Sequence, residues 1–424
     1  MDKSSTSSRS VADYLIASKN CEIVSLEQLL RTGRLVVSIS NLVHALQRER
    51  GASNLYLASA GERFAHELPG LREQALASER QFRDCLGQID LRSGAIPGAS
   101  RLFSRIAYAI QGLEEVRAVR DEITPQRVAP EAVLEGYSAL IRGLLAVVFE
   151  AADTALDPDI SRKLVAMFHL MQGKEFAGQE RAVGAAGFAR GGFDAPAVER
   201  LRHLIENQER CFQIFASFAD TETLAAWEDT ETGGASGEVE RLRRIACTSA
   251  PGRVTDTAIS DVWFNATTHR IDGMKRVEDR VEASLEALCQ QKIADARADL
   301  DSHAHHIEAL TRQPGDQPSF AIFFSDGTEP LNSDCAGPQL GRSLIDLVQC
   351  QSARLQAMSD ELNEARAALM ERKSIEKAKG LIMRHRDISE EEAYRFLRQV
   401  AMSQSRRLAE VAADTIAMEK LFKC

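Results

Sequence analysis

Leu35-Val36-Val37-Ser38-Ile39-Ser40-Asn41-Leu42-Val43-His44-Ala45-Leu46-Gln47-Arg48-Glu49-Arg50-Gly51-Ala52-Ser53-Asn54-Leu55-Tyr56-Leu57 decides the fold class. Leu35, Ile39, Leu42, Val43 and Leu46 recur at steps of three and four, the buried stripe of an amphipathic helix. Arg50, Ser53, Asn54 and Leu57 continue that face at i, i+3, i+4 and i+7. A guanidinium therefore lies along an apolar, buried face. Gly51 admits a close neighbour, at a cost of about 1 kcal/mol of helix propensity.

The same periodicity governs most of residues 24–310. One stripe runs through Leu140, Ile141, Leu144, Val147 and Val148, and another through Leu164, Met167, Phe168 and Met171. Gly and Pro cluster at 94–97, 191–196, 233–237 and 251–252, where helices are expected to break. Long helices with short breaks predict an all-α bundle. No strand followed by a Gly-rich loop and a helix is present, which excludes a dinucleotide fold or a P-loop. The segment from Gly173 to Ala182, with the Gly- and Ala-rich run to Gly192, predicts a tightly packed central helix, with Lys174, Gly178 and Arg181 on one face.

Composition limits the classes further. The 424 residues suggest two to three domains. A net charge of −10 excludes a generic basic nucleic-acid binder. No run approaches about 18 apolar residues, so no membrane partner is expected. Residues 1–10 are polar and Ser-rich, so a secretory signal is not expected. The eight cysteines form no C-x-x-C pair, and they read as free thiols of a cytoplasmic protein. His303, His305 and His306 lack the i, i+4 spacing of a helical ligand pair, so no metal is expected.

The organisation reads as a polar tail at 1–23, a helical bundle at 24–310, a linker at 311–338, a coiled-coil stalk at 339–370 and a helical module at 371–424. The linker carries Pro314, Pro318, Pro330 and Pro338, with one small hairpin conceivable at Phe320–Gly327. In the stalk, Leu344, Val348, Gln351, Leu355, Met358, Leu362, Ala365, Leu369 and Arg372 step alternately by four and three, a heptad seam that predicts a homodimer. The rival reading is a helix packed on its own domain. The last module holds 12 Lys and Arg against 9 Asp and Glu, a balance of +3 that leaves −13 on the rest. That asymmetry points to a nucleic-acid partner. Ser389 with Glu392 is a capping box that opens a second helix burying Ala393, Phe396, Leu397 and Val400. A third, from about Ser405, buries Leu408, Val411, Ala412 and Ile416.

Glu371-Arg372-Lys373-Ser374-Ile375-Glu376-Lys377-Ala378-Lys379-Gly380-Leu381-Ile382-Met383, with Ser389-Glu390-Glu391-Glu392-Ala393-Tyr394, Leu397-Arg398, Ala401-Met402 and Val411-Ala412, resembles the ANTAR domain. The resemblance implies a dimeric RNA binder that holds paired hairpins of a leader mRNA and prevents termination, acting indirectly on the RNA polymerase elongation complex. The residues suit that task. Exposed loop bases and a dense phosphate backbone call for cations and a stacking group. Lys377, Lys379 and Arg384 lie along the end of the stalk helix. Tyr394 and Arg398 share a face at i, i+4, and Arg406 and Arg407 open the third helix. Ala378 and Gly380 suggest close backbone approach.

A buried Arg50 needs a counter-charge. The candidates within the chain are Glu49, Glu175 and Glu180; the alternative is a bound planar oxyanion such as nitrate or nitrite, which matches the guanidinium fork. The Gln47-x-Glu49-Arg50-Gly51-x-Ser53 segment and Gly178-Gln179-Glu180-Arg181-Ala182 resemble the NIT domain over about residues 24–300. The resemblance implies nitrate or nitrite as a signalling ligand, with no cofactor, clamped between two arginines on different helices. The first maps onto Arg50. The second maps onto Glu240-Arg241-Leu242-Arg243-Arg244, with Arg241 favoured over Arg244, and Arg181 is expected to help close the pocket. The expected protein is a ligand-responsive antitermination regulator and not an enzyme. Rival readings are an antiterminator sensing another small ligand, a DNA-binding regulator with a helix-turn-helix at 389–418, and a nitrogen-oxide enzyme. The last would need a redox cofactor, for which no motif is visible.

Overall fold

The computed structural model describes residues 11–89, 99–248, 258–311, 339–388, 390–404 and 406–422. Among them are twelve helices and no strand. They are α1 Val11–Ala58, α2 Leu68–Gly87, α3 Ala99–Ile123, α4 Pro130–Thr154, α5 Pro158–Ala189, α6 Ala195–Phe218, α7 Thr221–Thr232, α8 Gly234–Thr248, α9 Ile259–Thr311, α10 Gln339–Arg386, α11 Glu390–Ser403 and α12 Leu408–Phe422. The all-α expectation holds. Helix α1 already begins at Val11, inside the segment read as a polar tail. The linker with its possible hairpin, and the breaks at 94–97 and 251–252, lie outside the described residues. The stalk and the first helix of the last module are one continuous helix, α10.

The chain divides into two compact units. The first comprises residues 1–30 and 287–361. There Ile23, Leu26 and Leu29 of α1 and Cys289, Ile293 and Ala296 of α9 are buried. Lys19 Nζ joins Asp299 at 3.3 Å and Arg297 joins Glu27 at 2.7 Å, so two ion pairs cross between the helices.

The second unit comprises residues 31–286 and 362–424. The stripes at Leu35 to Leu46, Leu140 to Val148 and Leu164 to Met171 are buried throughout. Helix α4 has the length and hydropathy of a membrane-spanning helix, but its apolar surface goes into the bundle: fourteen of its residues are buried. Asp157, Asp194 and Asp220 cap α5, α6 and α7 by accepting from Ile160, Ala197 and Thr223 backbone N–H groups. Helix α5 is the central element. Large groups lie on its glycines: from other helices the Phe212 ring on Gly173, the Arg50 guanidinium on Gly178 and the Trp263 indole on Gly184, and from the connection to α6 the Phe193 ring on Gly187. Trp263 is fully buried, and its Nε1–H donates to the Arg181 carbonyl at 3.0 Å.

The C-terminal part has its own core. Ala378 and Ile382 of α10 pack with Ala393, Leu397 and Ala401 of α11 and Val411 and Ala412 of α12. Phe396, Val400, Leu408 and Ile416 complete it, as the sequence periodicity predicts. A Cβ on Gly380 would meet nothing, so close approach by another helix of the chain does not explain that glycine. Helix α12 begins at Leu408, so Arg406 and Arg407 precede it. Ser389 and Ser405 lie outside the described residues.

Two predictions follow from this packing. Gly184→Ala places a methyl into the Trp263 indole. We expect a net loss of about 1–3 kcal/mol in urea unfolding, despite the gain in helix propensity. Gly136→Ala, whose Cβ meets nothing, should gain up to about 1 kcal/mol. The second concerns His169, which is buried on α5 with neither ring nitrogen hydrogen-bonded. Burial, helped by the Arg372 charge, pushes its pKa from 6.5 down to about 3. The unfolded chain therefore binds the extra proton first. Stability is unaffected above pH 6.5 and falls between 6.5 and about 3, by about 1.4 kcal/mol per pH unit. His169→Leu should lower the slope of that limb of the urea midpoint against pH by one proton's share, leaving the share of the buried His44, whose pKa is pushed down to about 2.

Candidate functional site

Two groups of residues carry the chemistry, one buried in the bundle and one on the C-terminal helices. The buried group starts at Arg50, which is 2% exposed. Its Nη1 donates to Glu175 Oε1 at 2.6 Å and its Nη2 to Oε2 at 3.2 Å, a two-pronged ion pair between α1 and α5. Nη1 also reaches the Ser138 hydroxyl on α4 at 2.8 Å. Of the three glutamates considered from sequence, Glu175 is thus the partner. Glu49 instead holds Arg120, and Glu180 holds Arg243. Gln47 and Gln179 donate to the Glu175 carboxylate at 2.9 and 2.8 Å.

Arg181 is the neighbouring buried guanidinium. Its Nη1 donates to the Thr268 hydroxyl at 2.9 Å, its Nη2 to the Gln47 carbonyl at 3.2 Å, and it lies over the Phe264 ring. Burial, with the charge of Arg50 next in size, pushes its pKa from 12.5 down to about 10, so it is a cation at neutral pH. A Cβ on Gly51 would stand 2.8 Å from Arg181 Nη2, and one on Gly178 would stand 2.8 Å from Arg50 Nη2. Each glycine leaves room for the arginine of the other helix.

Arg241 and Arg244, expected to face inward, do not. Both lie on the exposed face of α8, and Arg241 pairs with Glu238 at 2.6 Å. The buried arginine of that segment is Arg243. The helix phase explains the correction: Val239, Leu242 and Ala246 face the core, and Arg243 falls on their side. Reading α8 for its apolar stripe finds Arg243 from sequence. Arg243 grips Glu180 with two bonds of 2.7 Å and reaches the Gln208 side chain at 3.0 Å. Arg270 of α9 donates to the same Gln208 oxygen at 3.0 Å and forks onto Glu231. This second buried network links α5, α6, α7, α8 and α9, and the sequence reading missed its Arg243 and Arg270.

In the C-terminal module, Lys377 and Arg384 of α10 and Arg407, just before α12, are exposed. Lys379 is largely buried and pairs with Glu376 at 2.8 Å. Arg406 pairs with Asp414 at 2.6 Å. Tyr394 and Arg398 share one face of α11, and that face lies against α6. Tyr394 is 4% exposed, its ring edge-on to His203 at 4.8 Å with Arg210 over it at 5.7 Å. Arg398 pairs with Glu206 at 2.6 Å, and Arg395 with Glu199 at 3.8 Å. The end of α10 is fastened too. Arg372 lies over the Phe168 ring at 5.0 Å, Lys373 Nζ is 3.9 Å from Asp153, and Arg366 donates to the Ala155 carbonyl. Leu362 and Leu369 of the heptad seam are buried within this unit. That stretch of seam is packed on the chain's own bundle.

The Arg50–Glu175 pair has a direct test. Arg50→Ala strands a buried carboxylate and should cost about 3–5 kcal/mol in urea unfolding. Replacing both partners, Arg50→Met with Glu175→Met, should recover at least about 2 kcal/mol of that loss, because the desolvation of both charges goes with them. A double variant no more stable than Arg50→Ala would refute this account of the pair.

The chain matches the profile of the NIT family, described as nitrate and nitrite sensing, over residues 41–286, and that of the ANTAR domain over residues 363–416. It is 34% identical to the Nitrate regulatory protein of Klebsiella oxytoca, covering 97% of this chain and 96% of that protein. Its fold is similar to a solved structure described as that of the NasR transcription antiterminator, with a TM-score of 0.60 and 32% identity, covering 97% of this chain and 99% of that one. The helical bundle with its buried arginines and the basic three-helix module after it thus coincide with these two matches: the chain belongs to the nitrate- and nitrite-sensing NIT family and carries a C-terminal ANTAR domain.

Proposed function

We propose that the chain is a nitrate- or nitrite-responsive transcription antiterminator, and that its RNA-binding face is held by the sensor until the anion binds. The observation that carries this is the seating of Tyr394 and Arg398 on α6. A stacking ring 4% exposed and a cation already paired with Glu206 are not available to RNA. The anion binds at the buried arginines, with Arg50 and Arg181 as its donors. Helix α6 connects the two places. Its inward face ties Gln208 to Glu180, the residue before Arg181 on α5, at 2.7 Å. Its outward face carries Glu199, His203, Glu206 and Arg210 against α11. A shift of α5 on anion binding reaches α11 through this helix.

The thermodynamic requirement is that the anion binds the released state better than the docked one. A tenfold gain in RNA affinity needs about 1.4 kcal/mol of coupling. Exposed ion pairs of the Arg398–Glu206 kind are worth about 0–1 kcal/mol each, which is the right scale for a releasable contact. Once released, Tyr394 stacks on loop bases, while Arg398 and the exposed Lys377, Arg384 and Arg407 meet phosphate. The partner is a leader mRNA with tandem hairpins, held by a homodimer paired along 344–372, with the RNA polymerase elongation complex affected indirectly. Full pairing of that seam also requires Leu362 and Leu369 to leave the bundle, so dimer closure and release of α11 go together. We read the protein as a regulator and not a catalyst.

The test leaves the RNA face untouched. Glu199→Arg with Glu206→Arg, both on α6, sets like charges against Arg395 and Arg398. In titrations with the protein's own leader RNA, we expect the wild type to bind tightly only with nitrate or nitrite, with chloride and sulfate as controls. We expect the variant to bind about tenfold tighter than wild type without the anion. Unchanged anion-free affinity in the variant would reject the docked-face reading.

A further inference from the structure

A cavity of about 210 Å³ lies at the C-terminal end of α1, and neither Arg50 nor Arg181 lines it. Tyr56 of α1, Leu68, Arg72 and Leu76 of α2, and Thr124 after α3 form its wall, and Ala65 closes one side from the connection between α1 and α2. It reaches water beside Ala65, Pro69 and Glu73, which are exposed. A cavity of about 150 Å³ already admits benzene, so this one has room for a small organic molecule.

Most of the wall is apolar, and the cation in it is poorly satisfied. Arg72 Nη2 donates to the Arg120 carbonyl over a long 3.4 Å. Its Nε stands 3.7 Å from Glu49 Oε1 and is buried without a hydrogen bond. A buried donor left unmade calls for a reason. The Tyr56 hydroxyl makes one weak bond, 3.4 Å to the Thr124 carbonyl. Glu73, the carboxylate in the wall, is drawn to Arg80 at 3.0 Å. The backbone around the cavity is strained as well. Ala60, Phe64 and Gln126 hold left-handed φ values of 52°, 60° and 57°, and they lie on the two connections that supply Ala65 and Thr124. Left-handed backbone is costly for such residues, and it collects where a fold shapes a site.

We propose that this cavity is a second ligand site, separate from the anion site, and that it takes a small aliphatic monocarboxylate whose carboxylate meets Arg72 and whose hydrocarbon lies on Leu68, Pro69 and Leu76. An apolar hollow with a few placed polar groups is the usual form of a small-molecule site. The guanidinium fork matches a carboxylate, and it repels a cation. A dicarboxylate would set its second charge near Glu73. An inorganic anion such as nitrate would leave the apolar wall unfilled. The site also touches the sensing helix: Glu49, which Arg72 approaches, grips Arg120 and precedes Arg50 on α1.

The test uses the full chain with 4-methylpentanoate as the probe, read by titration calorimetry and by the thermal midpoint at constant ionic strength. We expect the acid to bind and to raise the midpoint. Acetate, glutarate and 4-methylpentan-1-ol should each bind at least tenfold more weakly. Arg72→Met removes the cation and keeps the stem. Ala65→Trp fills the cavity from an exposed connection. Each variant should weaken the acid at least tenfold, and saturating nitrate should not displace it from the wild type. No binding to the wild type, equal binding of the alcohol, unchanged affinity in Ala65→Trp, or displacement by nitrate overturns the proposal. If Arg72→Met does not fold, Ala65→Trp decides alone. A wild type that binds the acid and ignores nitrate keeps this site and overturns the nitrate reading instead.

Discussion

The close packing of α5 governs the rest of the sensor. Gly173, Gly178, Gly184 and Gly187 let Phe212, Arg50, Trp263 and Phe193 lie directly on its backbone. A methyl at any of these positions would collide with the group above it. Because the helices approach this closely, the polar groups between them are stripped of water. Arg50, Lys174, Glu175, Glu180 and Arg181 all become buried on or against one helix. Buried charges at such sites are held by specific partners with several kcal/mol at stake. The site's geometry is thereby tied to the position of α5.

Helix α6 is the element the proposed signal route runs through. Gln208 inside it bonds Glu180, Arg243 and Arg270, so its inner face is locked to three other helices. Its outer face meets α11 through an exposed ion pair, a longer one and a ring edge. The contrast in energy assigns the moving part. Exposed pairs contribute about 0–1 kcal/mol each, whereas breaking a buried pair costs about 3–5 kcal/mol. In the proposed mechanism a modest change at the sensor therefore releases the RNA module without loosening the bundle. That proposal joins the buried cations on α5 and the docked tyrosine on α11 through α6, which contacts both.

Much of this was legible along the chain. The apolar stripes located the core helices, and Arg50 stood out because a guanidinium on an apolar stripe must be buried. The core of the C-terminal module followed from Ala393, Leu397, Val411 and Ala412 at helical spacing. The choice of Arg241 or Arg244 failed because it weighed motif spacing over helix phase; the stripe Val239, Leu242, Ala246 points to Arg243. Glu199, His203 and Glu206 left no signal, since charged residues on the outer face of an amphipathic helix look alike whether solvated or docked.

By itself, then, the sequence determined what depends on short-range order: helix type, the buried face of each helix, the basic module and the burial of Arg50. These follow from the period of the helix and the free energy of removing apolar side chains from water, both local properties. Only the tertiary structure decided which carboxylate each arginine met and that Tyr394 and Arg398 lie against α6. In the Arg50–Glu175 and Arg398–Glu206 pairs the partners stand 125 and 192 positions apart. Charge pairing across such separations is selected by how the helices pack, and no local pattern encodes it.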